Sequence, residues 1–468
     1  MNTQIVFIHL DLGIGGAEQL VLNLASASLQ AGHDVHLVTC VCRQDHCFDI
    51  VKKPTGALSQ KVHVWGEALP ASILGVGTAF FSSLRLLYLA HWTTRQFPHA
   101  DIVVLDVLPT PIPLLLPYTS VLFYSHFPDK LLTRDTVNGE YMGVGQSLLK
   151  KVYRKLLDAI EEGTMGLADV LVVNSNFTRT QVERVFPSLR EKPMRVLYPA
   201  LSHTGTPTSC GEDKATHPNP PIVSLNRYER KKNIELLLQA YALLKQTFPK
   251  TTLPPLIVAG GYDVANVENV EYLGELTSLA STLAIPVQFR RSISEQERHE
   301  LLHEALCVVY TPHLEHFGIV PLETMAAGTP VVAVNSGGPK ETIVDGVTGY
   351  LCDNTPESFA TALGKLISNP SLAQRMGAAG RKHVVSKFGQ SRFQHEWLEV
   401  VKETMVRGQE RRGMHTYVLC RSFLYVLEGI VMLVSCWILT VVLRQMGVLE
   451  EDAHIVGSIR RALFREEL

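Results

Sequence analysis

Two glutamates eight positions apart, Glu315 and Glu323, flank a predicted helix start in the second half of the 468-residue chain. The amides of Phe317, Gly318 and Ile319 lie between them, and free amides at a helix start bind phosphate or diphosphate. Side chains tilt toward the N-terminus of their helix, so Glu323 should reach ribose hydroxyls beside that phosphate. Glu315 would meet a sugar on the other side. Glutamates also occur at helix starts for purely structural reasons, so this spacing alone decides little.

Basic residues follow another predicted strand of the same half. Arg227 and Lys232 come directly after the strand Ile222–Asn226. Cations placed there suit a diphosphate whose charge grows as a bond to it breaks. Their neighbours Arg230 and Lys231 are interpreted as solvated surface residues.

Glycine-rich turns also follow predicted strands. Such turns let a backbone approach a ligand closely. The glycines concerned are Gly15 and Gly16 before Glu18, Gly260 and Gly261 before Tyr262 and Asp263, and Gly337 and Gly338 before Pro339. In the first half, His126 follows the strand Val121–Tyr124, although one of 18 histidines can also be structural.

Short β-branched runs alternate with helical patterns on both sides of a Pro-, Gly- and Ser-rich stretch, residues 202–221. This alternation is typical of βαβ units with parallel sheets. The remaining predicted strands are Ile5–Leu10, Val35–Thr39, Ile102–Asp106, Val170–Asn174, Leu256–Ala259, Val287–Phe289, Cys307–Tyr310 and Val331–Val334. The predicted helices are Ala17–Ala31, Asn233–Phe248, Ser294–Ala305, Gly318–Gly328 and Pro356–Ile367. The pattern predicts an α/β fold of two Rossmann-like domains, 1–201 and 222–400, joined by the linker 202–221 and facing a cleft.

Net charge and cysteine spacing argue against nucleic-acid binding and against a zinc site. The net charge is −2, which argues against nucleic acid as the main partner because that binding depends on phosphate neutralisation. Among eight cysteines the only cluster is Cys40, Cys42 and Cys47 with His46. It contains no C-x-x-C pair and no second pair follows, so thiols at a strand end and in a loop are favoured over a zinc site.

Two apolar stretches indicate contact with a membrane. Ser422–Leu443 carries one charge, Glu428, and at about 1.5 Å per residue is long enough to cross a bilayer. It predicts a transmembrane helix (422–443) between a basic juxtamembrane segment (401–421) and a charged tail (444–468), with an interfacial helix as the alternative. More basic residues precede it than follow it, which predicts that the two domains face the cytosol. Leu69–Ala90 is interpreted either as a buried helix or as a face that rests on the bilayer.

The ordered set of motifs resembles the glycosyltransferases of the two-Rossmann (GT-B) fold that carry the E-x7-E signature. The resemblance runs over about residues 4–400. Within that group the chain is similar to the α-1,3/1,6-mannosyltransferase family of the dolichol pathway. The strings that carry this similarity are Phe123-Tyr-Ser-His-Phe-Pro-Asp129, Asn226-Arg-Tyr-Glu-Arg-Lys-Lys-Asn233, Ala259-Gly-Gly-Tyr-Asp263 and Glu315-His-Phe-Gly-Ile-Val-Pro-Leu-Glu323.

The resemblance implies roles for individual residues. The first domain would bind the acceptor, with Asp129 beside it, and the second would bind the nucleotide sugar. His126 would contact the donor sugar or orient the acceptor hydroxyl. Glu315, Arg227 and Lys232 would complete the catalytic set, and the two cations would stabilise the leaving diphosphate without a metal ion or other cofactor. The donor site would comprise Gly15, Gly16, Gly261, Phe317, Gly318, Ile319, Glu323, Gly337 and Gly338.

The resemblance also implies substrates and a location. GDP-mannose would be the donor and a dolichyl-diphosphate-linked oligosaccharide the acceptor, at the endoplasmic reticulum membrane with the catalytic domains facing the cytosol. A complex with other enzymes of the same pathway is compatible with this interpretation. Two alternatives remain open: a related transferase with another nucleotide sugar or lipid-linked acceptor, and a non-catalytic membrane scaffold that retains the fold.

Overall fold

Two parallel β-sheets, one in each half of the chain, form the framework of the protein. The structure is a computed structural model. It describes residues 3–413, except 73–76, 133–134, 138–139, 143–147, 202–218 and 250–251.

The first half contains seven strands of one parallel sheet and a separate hairpin. Its strands are β1 (Gln4–Ile8), β2 (Asp34–Thr39), β3 (Val62–Val64), β4 (Ile102–Leu105), β5 (Ser120–Ser125), β6 (Asp135–Val137), β7 (Glu140–Met142), β8 (Val170–Val173) and β9 (Met194–Val196). The sheet order is β3-β2-β1-β4-β5-β8-β9, while β6 and β7 pair antiparallel. The strands β4 and β8 are buried along their whole length, as expected for a sheet covered by helices on both faces.

The second sheet contains six parallel strands. They are β10 (Ile222–Leu225), β11 (Leu256–Gly260), β12 (Val287–Arg291), β13 (Cys307–Tyr310), β14 (Val331–Val334) and β15 (Gly349–Cys352). Their order is β12-β11-β10-β13-β14-β15. In both sheets the strand order changes direction beside the first strand, between β1 and β4 and between β10 and β13. Ligands of such sheets bind at the carboxyl ends of the strands at this point.

Helices cover both sheets. Those of the first half are α1 (Gly16–Gln30), α2 (Thr78–Gln96), α3 (Ile112–Leu115), α4 (Asp129–Leu132), α5 (Leu148–Leu167) and α6 (Asn176–Val185). Those of the second half are α7 (Ile234–Thr247), α8 (Val267–Thr282), α9 (Glu295–Glu304), α10 (Ile319–Ala326), α11 (Pro339–Thr342), α12 (Pro356–Ser368), α13 (Pro370–Phe388) and α14 (Gln390–Gly413).

The last helix, α14, returns to the first sheet. Trp397 is fully buried there, and its indole Nε1 donates a hydrogen bond of 2.8 Å to Ser28 Oγ on α1. Further along the helix, the Arg411 guanidinium pairs with Asp169 at 2.7 Å. The end of the second half of the chain is therefore packed against the first.

The predicted fold class is wrong in one component, the C-terminal transmembrane helix. Within the described part of the chain, no helix is both long enough and apolar enough to cross a membrane. The longest helix, α14, carries charged residues such as Arg411 and Arg412 throughout its length, which a bilayer core would not accept. The segment assigned to the membrane, 422–443, lies outside the described residues. The fold class that the described residues show is the pair of Rossmann-like domains.

The apolar stretch Leu69–Ala90 contributes to a buried helix. Leu86 and Leu89 of α2 pack into the core of the first domain, and Phe81 is buried. Arg85, the charge that interrupts this stretch, is itself buried and pairs with Asp11 at 2.6 Å. The part of α2 within this stretch therefore buries its apolar face against the first sheet, as the buried-helix interpretation expects.

Candidate active site

A half-buried ion pair lies at the carboxyl edge of the second sheet. The chain leaves β10 through a 3₁₀ turn, Arg230–Lys232, and Thr311 Oγ1, after β13, donates to the carbonyl of Lys232 at 2.6 Å. This contact holds the turn beside β13. Lys232 Nζ reaches Glu315 Oε2 at 2.7 Å. Burial raises the pKa of Glu315, but the Lys232 ammonium more than offsets this, and the pKa lies below its usual value. The two predicted catalytic residues are thus in direct contact.

The second glutamate of the E-x7-E segment lies in α10. Gly318 precedes this helix with a φ of 81°, a conformation that favours glycine. Burial raises the pKa of Glu323, although Arg298 of α9 forms an ion pair with its carboxylate. Ile319 begins the helix, so the amides between the two glutamates lie at a helix N-terminus. The structure thus places these amides at a helix start, and phosphate binding there stays a prediction.

The glycines after β14 allow their turn to pack directly against the loop that contains Glu315 and Phe317. A Cβ on Gly337 would lie 2.3 Å from the Glu315 carbonyl oxygen, and one on Gly338 would lie 2.1 Å from that of Phe317. The Gly338 amide also donates to the Glu315 carbonyl at 2.8 Å. Both glycines were predicted to bind the donor. In the structure they allow two backbone segments to approach closely, and this contact positions the E-x7-E loop. Phe317 is buried, with its ring stacked on Tyr198.

Arg227, predicted to be catalytic, and the remaining predicted donor-binding glycines lie outside this cluster. The Arg227 side chain is 64% exposed, with its guanidinium 3.7 Å from Glu229. Gly261 follows β11, and a Cβ there would lie 3.4 Å from Arg227 Cγ. In the first domain, Gly15 and Gly16 form the start of α1, and nothing lies within 4 Å of a Cβ built on Gly16. The structure does not bring Arg227 into contact with the Lys232–Glu315 pair.

The first domain contributes His126 from the end of β5. Its Nε2 lies 3.0 Å from Asp106 Oδ2, and Asn174 Nδ2 donates to its backbone carbonyl at 2.8 Å. Asp129 begins α4, and its carboxylate accepts from Arg154 of α5 at 2.9 Å. The structure thus pairs Asp129 with Arg154 and His126 with Asp106.

Contacts across the cleft bring the two domains together at this site. The ring of Phe127, next to His126, stacks on the ring of His316, with centroids 3.5 Å apart. Ser175 Oγ, before α6, donates to the His316 carbonyl at 2.7 Å. Burial lowers the pKa of His316 to about 4, against the opposing charge of Glu315, so its ring is neutral at pH 7. His316 was not predicted from the sequence. The only feature of the sequence that could have indicated a role in the site is its position directly after Glu315.

A carboxylate of the second domain caps a helix of the first. Glu341 accepts hydrogen bonds from the amides of Asn176 and Phe177, at 2.9 and 2.6 Å, in the first turn of α6. It also accepts from the Tyr198 hydroxyl at 2.9 Å. Negative charge at a helix N-terminus is favourable. This contact, also missed from the sequence, stabilises the facing arrangement of the two domains.

The facing Rossmann-like domains and their loops define the GT-B class of glycosyltransferases. The family described as Glycosyltransferase Family 4 matches residues 14–204, and Glycosyl transferases group 1 matches residues 212–383. Sucrose-phosphate synthase from Thermosynechococcus elongatus has a similar structure, with a TM-score of 0.68 at 18% identity, over 86% of this chain and 100% of that one. A Rickettsia africae glycosyltransferase gives 0.61 at 16% identity, over 86% and 99%. At these identities the likeness concerns the fold alone.

Relatives with higher sequence identity identify the family within this class. The chain is 40% identical to the α-1,3/1,6-mannosyltransferase ALG2 of Mus musculus, over 86% of this chain and 96% of that protein. The Homo sapiens ALG2 is also 40% identical with the same coverage, and that of Candida albicans is 37% identical over 84% and 97%. The chain belongs to the α-1,3/1,6-mannosyltransferase family, and it is a glycosyltransferase. The resemblance inferred from the motifs is confirmed.

Proposed function

We propose that this protein transfers mannose from GDP-mannose to a dolichyl-diphosphate-linked oligosaccharide, forming α-1,3 or α-1,6 linkages during assembly of the N-glycan precursor. The observation that carries the proposal is the Lys232–Glu315 pair, held beside a helix N-terminus in a chain of this family. A cation next to the amides of a helix N-terminus suits the diphosphate of a nucleotide sugar. The choice of GDP-mannose as donor rests on the family.

The second domain would bind the donor. The amides at the start of α10 would accept the diphosphate, and Glu323, released from Arg298, would bind the ribose hydroxyls. Glu315 would bind the mannose. Lys232 would then move its interaction from Glu315 to the leaving diphosphate, whose negative charge increases as the glycosidic bond breaks. The acceptor hydroxyl would enter from the first domain, beside His126.

We propose that the reaction retains the anomeric configuration. The leaving diphosphate would lie on the same face of the sugar as the incoming hydroxyl and would help to take its proton. Lys232 stabilises the charge that remains. Arg227, exposed at the mouth of the cleft, would add a second cation when the donor is bound. These roles need no covalent intermediate on the protein.

Activity is expected to survive removal of divalent metal ions. Lys232 and the helix amides supply the positive charge that Mg²⁺ supplies in other phosphate sites. Measuring mannose transfer before and after dialysis against EDTA, with Mg²⁺ and Mn²⁺ added back to one sample, tests this. Rates within about twofold are expected. A strict requirement for added Mn²⁺ would contradict metal-independent catalysis.

We further propose that the protein acts at the endoplasmic reticulum with its catalytic domains in the cytosol, within reach of other enzymes of the pathway. The similarity to the ALG2 mannosyltransferases supports the assignment to assembly of the N-glycan precursor. Cys42 and Cys47 are neighbours and form no disulfide, which suits a reducing compartment.

Asn176, in the sequence Asn-Phe-Thr, is expected to carry no glycan. Its side-chain amide donates to Glu341 at 3.0 Å and to the Tyr198 hydroxyl at 2.9 Å, so the group that would accept a sugar is engaged between the domains. N-glycosylation would also require a lumenal site. Treating the expressed protein with a glycosidase should leave its electrophoretic mobility unchanged. A glycosidase-sensitive shift that disappears in Asn176→Gln would contradict both the cytosolic orientation and this interface.

The alternatives make different predictions in one assay. A related transferase would use another nucleotide sugar, such as UDP-N-acetylglucosamine, with the same or another lipid acceptor. A scaffold would transfer nothing. Incubating the purified protein with each donor and a phytanyl-diphosphate-linked oligosaccharide distinguishes the three, because only the proposed activity consumes GDP-mannose and lengthens the acceptor.

A further inference from the structure

A second cluster of charged groups lies in the first domain, behind His126. His9 follows β1 and Asp106 follows β4, and the pairing of Ile8 with Leu105 places these two residues side by side. His9 is 3% exposed and Asp106 is 2% exposed. Neither group has a role in the proposed mechanism. A buried carboxylate between two imidazoles needs a physical explanation, because burying charge is unfavourable unless it is paired.

Asp106 accepts hydrogen bonds from two histidines. His9 Nδ1 lies 2.8 and 2.9 Å from its two carboxylate oxygens, and His126 Nε2 lies 3.0 Å from Oδ2. Burial would raise the pKa of Asp106, but the two histidines lower it to about 2, so the carboxylate is ionised at pH 7. An ionised carboxylate only accepts hydrogen bonds. Both ring nitrogens that face Asp106 are therefore donors.

His9 balances the charge of Asp106. Burial opposes protonation of His9, but Asp106 and then Glu18 raise its pKa to about 10. Its other nitrogen, Nε2, lies 3.8 Å from Glu18 Oε1, at the start of α1. His9 is thus a buried imidazolium between two carboxylates, and it holds Asp106 in one place. His9 is thus the ion-pair partner of Glu18, the glutamate of the Gly-Gly-Ala-Glu turn.

This arrangement determines the tautomer of His126. Because Nε2 carries the proton that is donated to Asp106, Nδ1 is the one acceptor of the neutral ring. The His126 side chain is 27% exposed, whereas Asp106 is enclosed. The adjacent residue Phe127 stacks on His316 beside Glu315, which places His126 at the junction of the two domains.

We propose that Asp106 and His9 are positioning residues that fix His126 as an acceptor for a hydroxyl of the donor sugar or the acceptor saccharide. Asp106 sets the tautomer and the orientation of the ring, and His9 keeps Asp106 ionised and in place. The inference rests on the proposed function, since it assigns His126 to sugar transfer. It extends the site to two buried residues that do not touch the substrate.

The test compares Asp106→Asn, His126→Ala and the double variant in mannose transfer from GDP-mannose. An Asn side chain has the same shape, but its NH₂ group can donate to His126 Nε2 and favour the opposite tautomer, as a carboxylate cannot. We expect Asp106→Asn to lower kcat about 10²-fold, with KM for GDP-mannose changed less than threefold. A comparable Asp-to-Asn change behind a catalytic histidine costs up to about 10⁴-fold. Asp101→Asn, at the opposite end of β4, is the matched control and should retain full activity.

The double variant separates positioning from a structural role. If Asp106 acts through His126, the variant with both substitutions should be no slower than His126→Ala alone. Multiplicative losses, or an equal loss of activity and folded protein, would overturn the proposal. Failure of the wild-type protein to use GDP-mannose would instead contradict the proposed function.

A measurement on the unaltered protein covers the case in which Asp106→Asn does not fold. The histidine ¹⁵N–¹H spectrum is recorded at a pH where the His126 ring carries one proton, and the His126 signal is assigned by its loss in His126→Gln. That proton is expected on Nε2, because Nε2 faces Asp106. A ring protonated at Nδ1 would overturn the proposal. In the same spectrum His9 should remain doubly protonated.

Discussion

Replacing Lys232 with Ala is expected to lower kcat for mannose transfer at least about 10³-fold while the fold persists. The Lys232 ammonium lies 2.7 Å from Glu315, and its side chain is 16% exposed, so it acts in a partly water-excluded site where charge stabilisation is strong. The substitution removes the cation nearest to the leaving diphosphate. It also leaves Glu315 without a counter-ion, which should raise the pKa of that carboxyl. Steady-state kinetics with saturating lipid acceptor measure the loss.

Lys231→Ala is the matched control. Its side chain is 70% exposed and pairs with Glu229 at 3.0 Å, and surface ion pairs of this kind contribute little. We expect kcat within about twofold of the wild type. Equal losses in both variants, or full activity of Lys232→Ala, would show that the leaving group does not lie beside Lys232.

Glu315→Gln is expected to lower kcat about 10²-fold with a smaller change in KM for the donor. The amide can still accept a hydrogen bond from Lys232, so the loop should keep its geometry, but the negative charge beside the sugar is lost. The Gly337 and Gly338 turn packs on the backbone of residue 315, not on its side chain, which also favours an intact fold. Kinetics combined with thermal unfolding separate the chemical effect from the structural one.

Glu295→Gln provides a comparison on α9. Its side chain is 89% exposed and contacts only the neighbouring Arg298 at 3.4 Å among the described residues. The substitution should leave kcat and KM unchanged. If Glu315→Gln also leaves both constants unchanged, the carboxylate has no part in the reaction and the E-x7-E segment acts only through its amides.

The sheets of this protein are predictable because their strands are continuous apolar runs. Cys307–Tyr310 and Val331–Val334 have the same bounds in the sequence-based prediction and in the structure. The strands β3 and β9 are only three residues long and incompletely buried, so no such run marks them. Their position is set by pairing with the longer strands β2 and β8, which is a tertiary effect.

The contacts within the site were predictable only in part. Local motifs place Lys232 and Glu315 at the carboxyl ends of neighbouring strands, and the structure brings them together. Asp106 and His9 were missed because each ends an ordinary apolar strand, and their pairing depends on sheet order. The capping of α6 by Glu341 joins residues about 165 positions apart, at a separation where no spacing rule applies.

The membrane prediction failed for a different reason. It rested on the hydropathy of one segment, 422–443, which lies outside the described residues. The helices that the structure describes are those of the two α/β domains, and α14 packs apolar residues, including Trp397, against the first sheet.

The most direct test of the proposed function is mannose transfer by the purified full-length chain. GDP-mannose labelled in the sugar is incubated with a phytanyl-diphosphate-linked oligosaccharide, and the products are digested with linkage-specific α-mannosidases. The wild-type protein should lengthen the acceptor with α-linked mannose that is sensitive to α-1,3- or α-1,6-specific digestion, and Lys232→Ala should not. Transfer from UDP-N-acetylglucosamine but not from GDP-mannose, or no transfer from either donor, would contradict the proposal.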